Sequence, residues 1–305
     1  MLLLVGAGAS MRVDYPSFKG YAQQLVEQFD VDVSHVPEDD PSAIAGAIKA
    51  SLTEAGRLDE FHAHLERTFG PDARTQRYDA VHRILVSARF RGIATTNYDS
   101  VLEDAASADG DRCEDLDLCL PRSFAVFDFL RSTSGGRRRR SVLHLHGWFQ
   151  NPEHLVVTSD DYAKRYGPYF EETPDGGQVR VELDTMHRKV IWALLVSYPV
   201  LFVGFSLDDP ALRHLLDVIN RDFQRGRELD HFALMGVDDE AQEGRIAQQL
   251  APYGVTPIFY PVTVLPDERE DHSRLEDVLA DLCEATAERT TRSRGEAFTE
   301  RMLGR

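Results

Sequence analysis

MLLLVGAGAS, residues Met1–Ser10, joins a run of five apolar residues to a glycine-rich turn. A continuous apolar run that stops at glycine is typical of a buried strand in a parallel sheet. Such a turn can let the backbone approach a pyrophosphate, because the helix that follows supplies free N–H groups. It can equally be a strand-to-helix turn that needs glycine only for its backbone freedom. The stretch alone leaves both interpretations open.

The composition indicates a large acidic protein. The 305 residues carry a formal net charge of −17, which argues against direct nucleic-acid binding, because that binding depends on Lys and Arg neutralising phosphates. No run of about twenty apolar residues occurs, so we expect no membrane span. The apolar start is too short and lacks the positive charge of a secretory signal. The three cysteines (Cys113, Cys119 and Cys283) form no CxxC pair. Together with the lack of a secretory signal, they predict a cytoplasmic protein with reduced thiols.

Apolar runs and helical patterns alternate along the chain. The runs predict strands near Leu2, ending at Asn97, ending at Gly147, near Val156, ending at Ser206, near Leu234 and near Phe259. The helical patterns cover Pro16–Phe29, Ala43–Ala55, Leu58–Phe69, Thr75–Ala88, Tyr98–Ala106, Val179–Leu195, Pro210–Phe223, Glu240–Leu250 and Ser273–Ala287. This alternation predicts an α/β fold, a doubly wound Rossmann-like parallel sheet with an inserted helical layer.

The order of these elements predicts one domain over residues 1–287. Within it we expect a helical insertion at about 15–90 and a loop-rich insertion at about 107–141, with a polar tail at 288–305 that is mobile or docks in an oligomer. The second insertion contains RSTSGGRRRRS, Arg131–Ser141. Its arginine run could hold an acidic partner or a nucleic-acid strand, but such a run is more often a solvated loop.

Polar residues follow several of the predicted strands at the point where each strand ends. The stretches are GAGAS (residues 6–10), TTNYD (95–99), HLHG (144–147) and GFSLDDP (204–210). Because ligands of open α/β sheets bind beyond the carboxyl ends of the strands, we expect these stretches to line one crevice. Asn97, Asp99 and the Asp208–Asp209 pair could instead stabilise helix N-termini, and His146 could be a hydrogen-bonded core histidine. Their clustering favours a site.

The order GAGAS, TTNYD, HG and GFS resembles the sirtuin superfamily, in which the pattern runs GAGxS, TQNxD, HG and a GTS-like motif and the ligand is NAD+. The paired CxxC motifs that hold zinc in protein-deacylating sirtuins are missing, and VDYPSF (Val13–Phe18) replaces the sirtuin GIPDFR. The sequence looks most like the zinc-free sirtuin-like NAD+ hydrolases of bacterial anti-phage defence. The resemblance therefore implies cleavage of NAD+ as substrate, without zinc or another metal, by an effector of abortive infection.

The resemblance also implies roles for individual residues. Asn97 would hydrogen-bond the ribose or the attacking water, Asp99 would bind the nicotinamide amide or steady the developing cation, and His146 would act as general base. The backbone N–H groups of Gly6, Ala7, Gly8 and Ser10 would hold the pyrophosphate, Gly204 and Ser206 would flank the adenosine, and Phe18 and Thr96 complete the binding set. Pattern alone cannot choose between His144 and His146, since they share a strand face; the match to HG favours His146.

The sequence also leads to expectations about partners and regulation, and it leaves two further functions open. Relatives of this length can assemble with a HerA-type hexameric ATPase, so the resemblance implies a homo-oligomer with such a partner. Because an unregulated NAD+ hydrolase would kill its host, we expect assembly or an occluding loop, within Asp161–Gly177, to restrain it. The same cleavage could serve a cyclase or an ADP-ribosyltransferase. The crevice could also belong to a sensor that binds NAD+ or a related nucleotide without turnover.

Overall fold

The computed structural model describes residues 1–88, 90–108, 110, 113–120, 125–132, 140–167, 169–172, 178–181, 185–207, 209–223, 231–265 and 270–285. The described strands are β1 (Leu2–Val5), β2 (Ile93–Thr95), β3 (Cys113–Asp117), β4 (Arg140–His144), β5 (Tyr169–Glu172), β6 (Gln178–Val181), β7 (Val200–Val203), β8 (His231–Val237), β9 (Val255–Pro261), β10 (Thr263–Val264) and β11 (Glu270–Asp271). Seven of them form a parallel sheet in the order β3-β4-β2-β1-β7-β8-β9. This is the predicted α/β, Rossmann-like fold.

Helices cover the sheet on both faces. They are α1 (Ala7–Ser10), α2 (Phe18–Gln28), α3 (Pro41–Glu54), α4 (Leu58–Phe69), α5 (Ala80–Ser87), α6 (Val101–Ser107), α7 (Ala125–Ser132), α8 (Ser159–Tyr166), α9 (Met186–Ser197), α10 (Pro210–Phe223), α11 (Glu240–Leu250) and α12, which is helical from residue 274 through the last described residue, 285. None of the described helices is both long enough and apolar enough to cross a membrane.

The first strand is apolar throughout because it is buried on both faces. Leu2 and Leu4 belong to one apolar cluster, which α9 and α10 complete, whereas Leu3 and Val5 belong to the other, which α5, α6 and α12 complete. Alternate side chains of a strand point to opposite faces, so a central strand between two helical layers needs apolar residues at every position. The continuous apolar run at Leu2–Val5 is the direct sequence signature of this position.

Helices α2, α3 and α4 form a third apolar cluster with the segments that follow β1, β2 and β4. Tyr21 of α2, Ile48 of α3 and Phe61 of α4 are fully buried there. The ring of Phe69, at the end of α4, packs edge-on against Tyr98, which follows β2, with 5.0 Å between ring centroids. The helical layer is thus tied to the segment that carries the candidate site.

Several predicted elements differ from the structure. The run near Val156 is not a strand: residues 155–157 are buried coil, and the N–H of Val156 donates to the His146 carbonyl at 2.9 Å. The helix predicted at Val179–Leu195 begins only at Met186, after its N-cap Thr185, and Val179 lies in β6, which pairs with β5. A buried apolar run does not by itself distinguish strand, coil and helix.

The region 107–141, expected to be rich in loops, contains the edge strand β3 and the helix α7. The strand escapes a search for apolar runs because its sequence is CEDLD, in which only Leu116 and Asp117 are buried. Most of the arginine-containing stretch, residues 133–139, and the tail at 288–305 lie outside the described residues.

Candidate active site

A cavity of about 990 Å³ lies beyond the carboxyl ends of the central strands, within the size range of small-molecule sites. It is lined by ten of the eleven residues predicted from the sequence: Ala7, Gly8, Ser10, Phe18, Thr96, Asn97, Asp99, His146, Gly204 and Ser206. Gly6 is not in the lining, but its carbonyl accepts a hydrogen bond from Asn97 Nδ2. The four strand-end stretches therefore meet in one place.

The turn after β1 packs backbone to backbone against the turn after β7. The N–H of Gly8 donates to the Gly204 carbonyl at 2.8 Å, and Gly204 has a φ of +64°, in the region that favours glycine. A Cβ atom on Gly204 would lie 2.3 Å from the Ala9 nitrogen, and one on Gly6 would lie 2.6 Å from the Gly204 carbonyl oxygen. The glycines are therefore required for this contact itself.

This contact corrects one predicted role. The N–H groups of Gly6 and Gly8 were expected to hold the pyrophosphate, but they already donate to the carbonyls of Val203 and Gly204, at 2.9 and 2.8 Å. A backbone donor that is committed within the sheet and turn has no second hydrogen to offer a phosphate. In this structure Gly8 lines the cavity and Gly6 supplies a carbonyl to Asn97, and neither N–H group is available to an anion.

Asn97, after the end of β2, makes three hydrogen bonds through its N–H and its side-chain amide. Its N–H donates to Thr95 Oγ1 at 3.0 Å, and its side-chain nitrogen donates to the Gly6 carbonyl at 3.1 Å and to Ser10 Oγ at 2.9 Å. Both hydrogens of the amide are thus directed at protein acceptors, and the carbonyl Oδ1 is the atom left for a ligand hydroxyl or water. The arrangement suits Asn97 to accept, not donate, a hydrogen bond in the cavity.

Asp99 combines a structural contact with a place in the lining. One of its carboxylate oxygens accepts the N–H of Val101 at 3.1 Å, so the helix-cap interpretation is correct in part. Burial raises the pKa of Asp99 above its ordinary value, against the opposing effects of hydrogen bonds from Val101 and Ser10. The Ser10 hydroxyl therefore connects the Asn97 amide to the Asp99 carboxyl group.

His146 lies in the lining against a carboxylate and two tyrosine rings. Its Nε2 is 3.5 Å from Asp209 Oδ2, and its ring packs edge-on against Tyr162 and Tyr166. Burial lowers the pKa of His146 below its ordinary value, and the charge of Asp209 opposes this only in part. The imidazole is therefore neutral near pH 7 and able to take a proton.

Two residues beside His146, Asp209 and Tyr162, have no role in the chemistry predicted from the sequence. Asp209 accepts the N–H of Leu212 at 2.8 Å through one oxygen, as a helix cap does, while its other oxygen faces His146 and accepts the Tyr162 hydroxyl at 3.2 Å. The sequence places Asp209 in GFSLDDP, a stretch expected to line the crevice, and indicates a cap, but its contact with His146 was not predicted. Asp208, its predicted companion, lies outside the described residues.

Tyr162 lies within Asp161–Gly177, the segment in which we expect an occluding loop. Residues Ser159–Tyr166 form α8, with a capping box in which Thr158 and Asp161 bond each other's backbone N–H groups. Tyr169–Glu172 form β5. Residues 161–166 and 169–172 are thus helix and strand, and Tyr162 contributes to the cavity wall. Residues 168 and 173–177 lie outside the described residues, so the occluding loop stays a prediction.

His144, the other histidine of HLHG, does not line the cavity. It is fully buried, with Nδ1 2.9 Å from the Asn97 carbonyl oxygen and Nε2 2.8 Å from Glu103 Oε1. The strand β4 ends at His144, and the chain beyond it turns His146 into the cavity. The end of the strand therefore separates two histidines that the pattern alone had placed on one face.

The cavity lining also includes a chain of polar groups from β9 and the segment that follows it. The Tyr260 hydroxyl is 2.9 Å from His272 Nδ1, and His272 Nε2 is 3.2 Å from Glu270 Oε2. Among the described residues of the lining, carboxyl groups outnumber amines by five to one; they are Asp39, Asp40, Asp99, Asp209 and Glu270, against Lys19. Within the described part of the chain, no cluster of three or more His, Cys, Asp or Glu residues could hold a metal ion.

The chain is similar to one protein family and to two named proteins. The family model described as "SIR2-like domain" matches residues 91–258. The NAD(+) hydrolase ThsA of Bacillus cereus (strain MSX-D12) is 25% identical over 242 residues, which cover 76% of this chain and 42% of that protein. The NAD(+) hydrolase ThsA of Acinetobacter baumannii (strain 532279) is 24% identical over 235 residues, which cover 76% of this chain and 41% of that protein. The matches thus span less than half the length of these relatives.

Proposed function

The chain belongs to the SIR2-like domain family, and from this we propose that it is an NAD+ glycohydrolase that cleaves NAD+ to nicotinamide and ADP-ribose in the described cavity. The observation that carries the proposal is the meeting of Asn97, Asp99 and a neutral His146 in one lining. Two curated relatives that align with three quarters of this chain are named NAD(+) hydrolases, which supports the same substrate.

In the proposed reaction the protein does not need to form a covalent bond with the substrate. The bond between the ribose carbon and the nicotinamide nitrogen breaks, both electrons leave with nicotinamide, and the sugar carbon becomes cationic. Water then adds to that carbon and loses one proton. The site must therefore orient the ribose, stabilise the developing positive charge and accept the proton.

The side chains in the lining suit these tasks. The free acceptor Oδ1 of Asn97 would bind a ribose hydroxyl or the attacking water. Asp99, when ionised, would stabilise the cationic sugar at close range, since electrostatic effects are strong in a buried site. Neutral His146 would accept the proton, and Asp209 would stabilise the imidazolium that results.

The decisive experiment measures nicotinamide and ADP-ribose released from NAD+ by the purified chain, by His146→Ala and by a matched control, His35→Ala. His35 is an exposed histidine outside the cavity lining. We expect His146→Ala to lose cleavage by about 10²–10⁴-fold and His35→Ala to match the parent. Cleavage by His146→Ala at the parent rate would remove His146 from the catalytic role.

The products and a binding assay distinguish the other candidate functions. A cyclic product, or ADP-ribose attached to a protein acceptor, would identify a cyclase or a transferase that uses the same cleavage. Tight NAD+ binding without turnover, alone and with every candidate partner, would make the crevice a sensor. Both results would contradict the hydrolase proposal.

We also propose the biological setting that the resemblance to anti-phage NAD+ hydrolases implies. The protein would act in the cytoplasm as an effector of abortive infection, as a homo-oligomer and with a HerA-type hexameric ATPase as partner. Support comes from the relatives' names and from the resemblance. Light scattering of the chain alone and after mixing with such an ATPase would measure the assemblies, and failure of the two to co-purify would refute the partnership.

A further inference from the structure

The buried pair formed by His144 and Glu103 lies directly behind the segment that carries Asn97. His144 ends β4, and Glu103 lies on the inner face of α6, where its side chain is 9% exposed. The two are joined by a contact of 2.8 Å between Nε2 and Oε1. Neither residue lines the cavity, so neither touches a ligand bound there.

The acceptors around His144 fix its protonation at one nitrogen and favour it at the other. Nδ1 is 2.9 Å from the main-chain carbonyl of Asn97, which can only accept, so Nδ1 must carry a hydrogen. Nε2 faces a carboxylate, which favours a second hydrogen there. A ring with both hydrogens is an imidazolium, and its two hydrogen bonds are charge-assisted.

The surrounding charges support the same state. Burial alone would lower the pKa of His144, but the charge and hydrogen bond of Glu103, the Asn97 carbonyl and Asp99 raise it to about 9. Asp115, on β3, is exposed but interacts with the pair: partial desolvation and the charge of Glu103 raise the pKa of Asp115 to about 6, and His144 opposes that rise. The imidazolium thus sits among three carboxyl groups from α6, β3 and the segment after β2.

The contact with the Asn97 carbonyl controls the direction of the Asn97 side chain. The N–H, carbonyl and side-chain amide of this residue bond, respectively, to Thr95, His144 and the Gly6–Ser10 turn. If the carbonyl lost its donor, a buried acceptor would be left unpaired, which is costly. Movement of the backbone to find another donor would shift the Cα atom of Asn97, and with it the side-chain amide that faces the cavity.

We propose that Glu103 and His144 are a positioning pair for the reaction: Glu103 holds the imidazole so that Nδ1–H fixes the Asn97 carbonyl, and this directs Asn97 Oδ1 at the ribose or water. The inference rests on the proposed NAD+ hydrolysis. Because the pair acts through Asn97, its loss should lower kcat far more than it changes KM, since displacement of a catalytic group by about 1 Å can cost on the order of 100-fold.

Variants of His144 separate positioning from packing. His144→Leu keeps an apolar filling but removes the donor, whereas His144→Asn places an amide N–H where Nδ1 was. We expect His144→Leu to lose about 100-fold in kcat with KM changed by less than about threefold, and His144→Asn to restore kcat to within about tenfold of the parent. The matched control is Asp104→Asn, the neighbouring acid on α6, which faces Arg77 at 3.9 Å and should leave kcat within about twofold.

A pH profile of Glu103→Gln provides a readout that packing would not change. In the parent, loss of the Nε2 proton leaves a lone pair facing the Glu103 carboxylate, so kcat should fall as pH rises through about 9. Glutamine can turn its NH₂ group toward that lone pair, so the neutral ring stays in place. We expect Glu103→Gln to remove the alkaline fall in kcat.

The outcomes distinguish this inference from the function on which it rests. A parent that releases no nicotinamide under any condition, including mixtures with a candidate ATPase, would overturn both. A parent that is active, with His144→Asn no better than His144→Leu, would overturn the positioning pair alone. If His144→Leu does not fold, the profile of Glu103→Gln decides: an alkaline fall in kcat identical to the parent's overturns the pair, and its removal supports it.

Discussion

The wall of the cavity formed by β1 and β7 is backbone packed against backbone, whereas the wall formed by β2 and β4 is a network of polar side chains. On the first wall Gly8 and Gly204 approach so closely that a Cβ atom has no room. On the second, hydrogen bonds fix the groups that face the ligand, with Asn97 in front and His144 behind it. One wall is specified by the absence of side chains and the other by their chemistry.

We therefore expect substitutions on the two walls to change different properties of the protein. A substitution on the glycine wall forces neighbouring backbone apart, so it should lower the free energy of unfolding. A substitution on the polar wall leaves the volume nearly unchanged and removes a hydrogen bond, so it should lower the rate of reaction more than the stability. The following changes test that difference.

The largest effect is expected from Asn97→Ala on the polar wall. Loss of a preorganised hydrogen bond to the reacting groups should lower kcat by about 10²–10³-fold. The Gly6 carbonyl keeps its second donor, the Ala9 N–H at 3.1 Å, so the free energy of unfolding should fall by only about 1 kcal/mol. Nicotinamide release and urea unfolding measure the two quantities. If Asn97→Ala instead unfolded most of the protein while the folded fraction kept the parent's kcat, the two walls would not differ in the way expected.

On the glycine wall, Gly204→Ala should cost about 2–4 kcal/mol of stability, from the left-handed backbone and the crowding at Ala9. The control is Gly244→Ala on α11, where an added Cβ meets nothing within 4 Å. There alanine should raise stability by about 0.5–1 kcal/mol, because it favours helix. Urea unfolding of both variants gives the comparison. Equal effects at the two positions would mean that the close contact is not required.

The polar wall should also make stability depend on pH. His144 holds a proton with a pKa of about 9 in the folded protein and about 6.5 when unfolded. Its contribution, on the order of 3 kcal/mol, is therefore fully present below pH 6.5 and is lost as pH rises toward 9. Urea unfolding between pH 6 and pH 9.5 should show this decline in the parent but not in Glu103→Gln. Gly204→Ala should keep the parent's slope.

The smallest effect is expected from Asp209→Asn. Asparagine can still cap α10, but the charge that raises the pKa of His146 is gone. The fall in kcat on the acid side, where His146 becomes protonated, should therefore move to lower pH, with kcat at neutral pH reduced by about tenfold or less. Asp239→Asn, at the N-cap of α11, is the matched control and should leave the pH profile unchanged. An acid limb that stays in place would separate Asp209 from His146.

The sequence contains enough to predict the sheet and the place of the cavity. Continuous apolar residues at Leu2–Val5 and Val200–Val203 follow from burial on both faces, and polar residues at strand ends follow from the geometry of parallel sheets. These features are local, or require only that several strands end at one edge. They are therefore visible without knowing which strand pairs with which.

What the sequence does not show depends on neighbours far along the chain. The N–H of Gly8 cannot bind a phosphate, because it already donates to the carbonyl of Gly204, which lies 196 residues away in the sequence. Glu103 reads as an ordinary polar residue of α6 until His144 is placed beside it. The buried coil at Val156 has the composition of a strand, but its N–H donates to the His146 carbonyl outside the sheet. In each case tertiary partners assign a role that local pattern leaves open.

The excess of carboxyl groups in the cavity lining should make ligand binding depend on the salt concentration. If the cavity binds NAD+ as proposed, the anionic diphosphate would approach five carboxyl groups and one lysine, and repulsion would oppose its entry. Dissolved ions screen charges over about 8 Å at physiological ionic strength. Moderate salt should therefore tighten NAD+ binding, the reverse of its effect on a phosphate site built from Lys and Arg, and the ionic content of the cell would help set how readily the cavity fills.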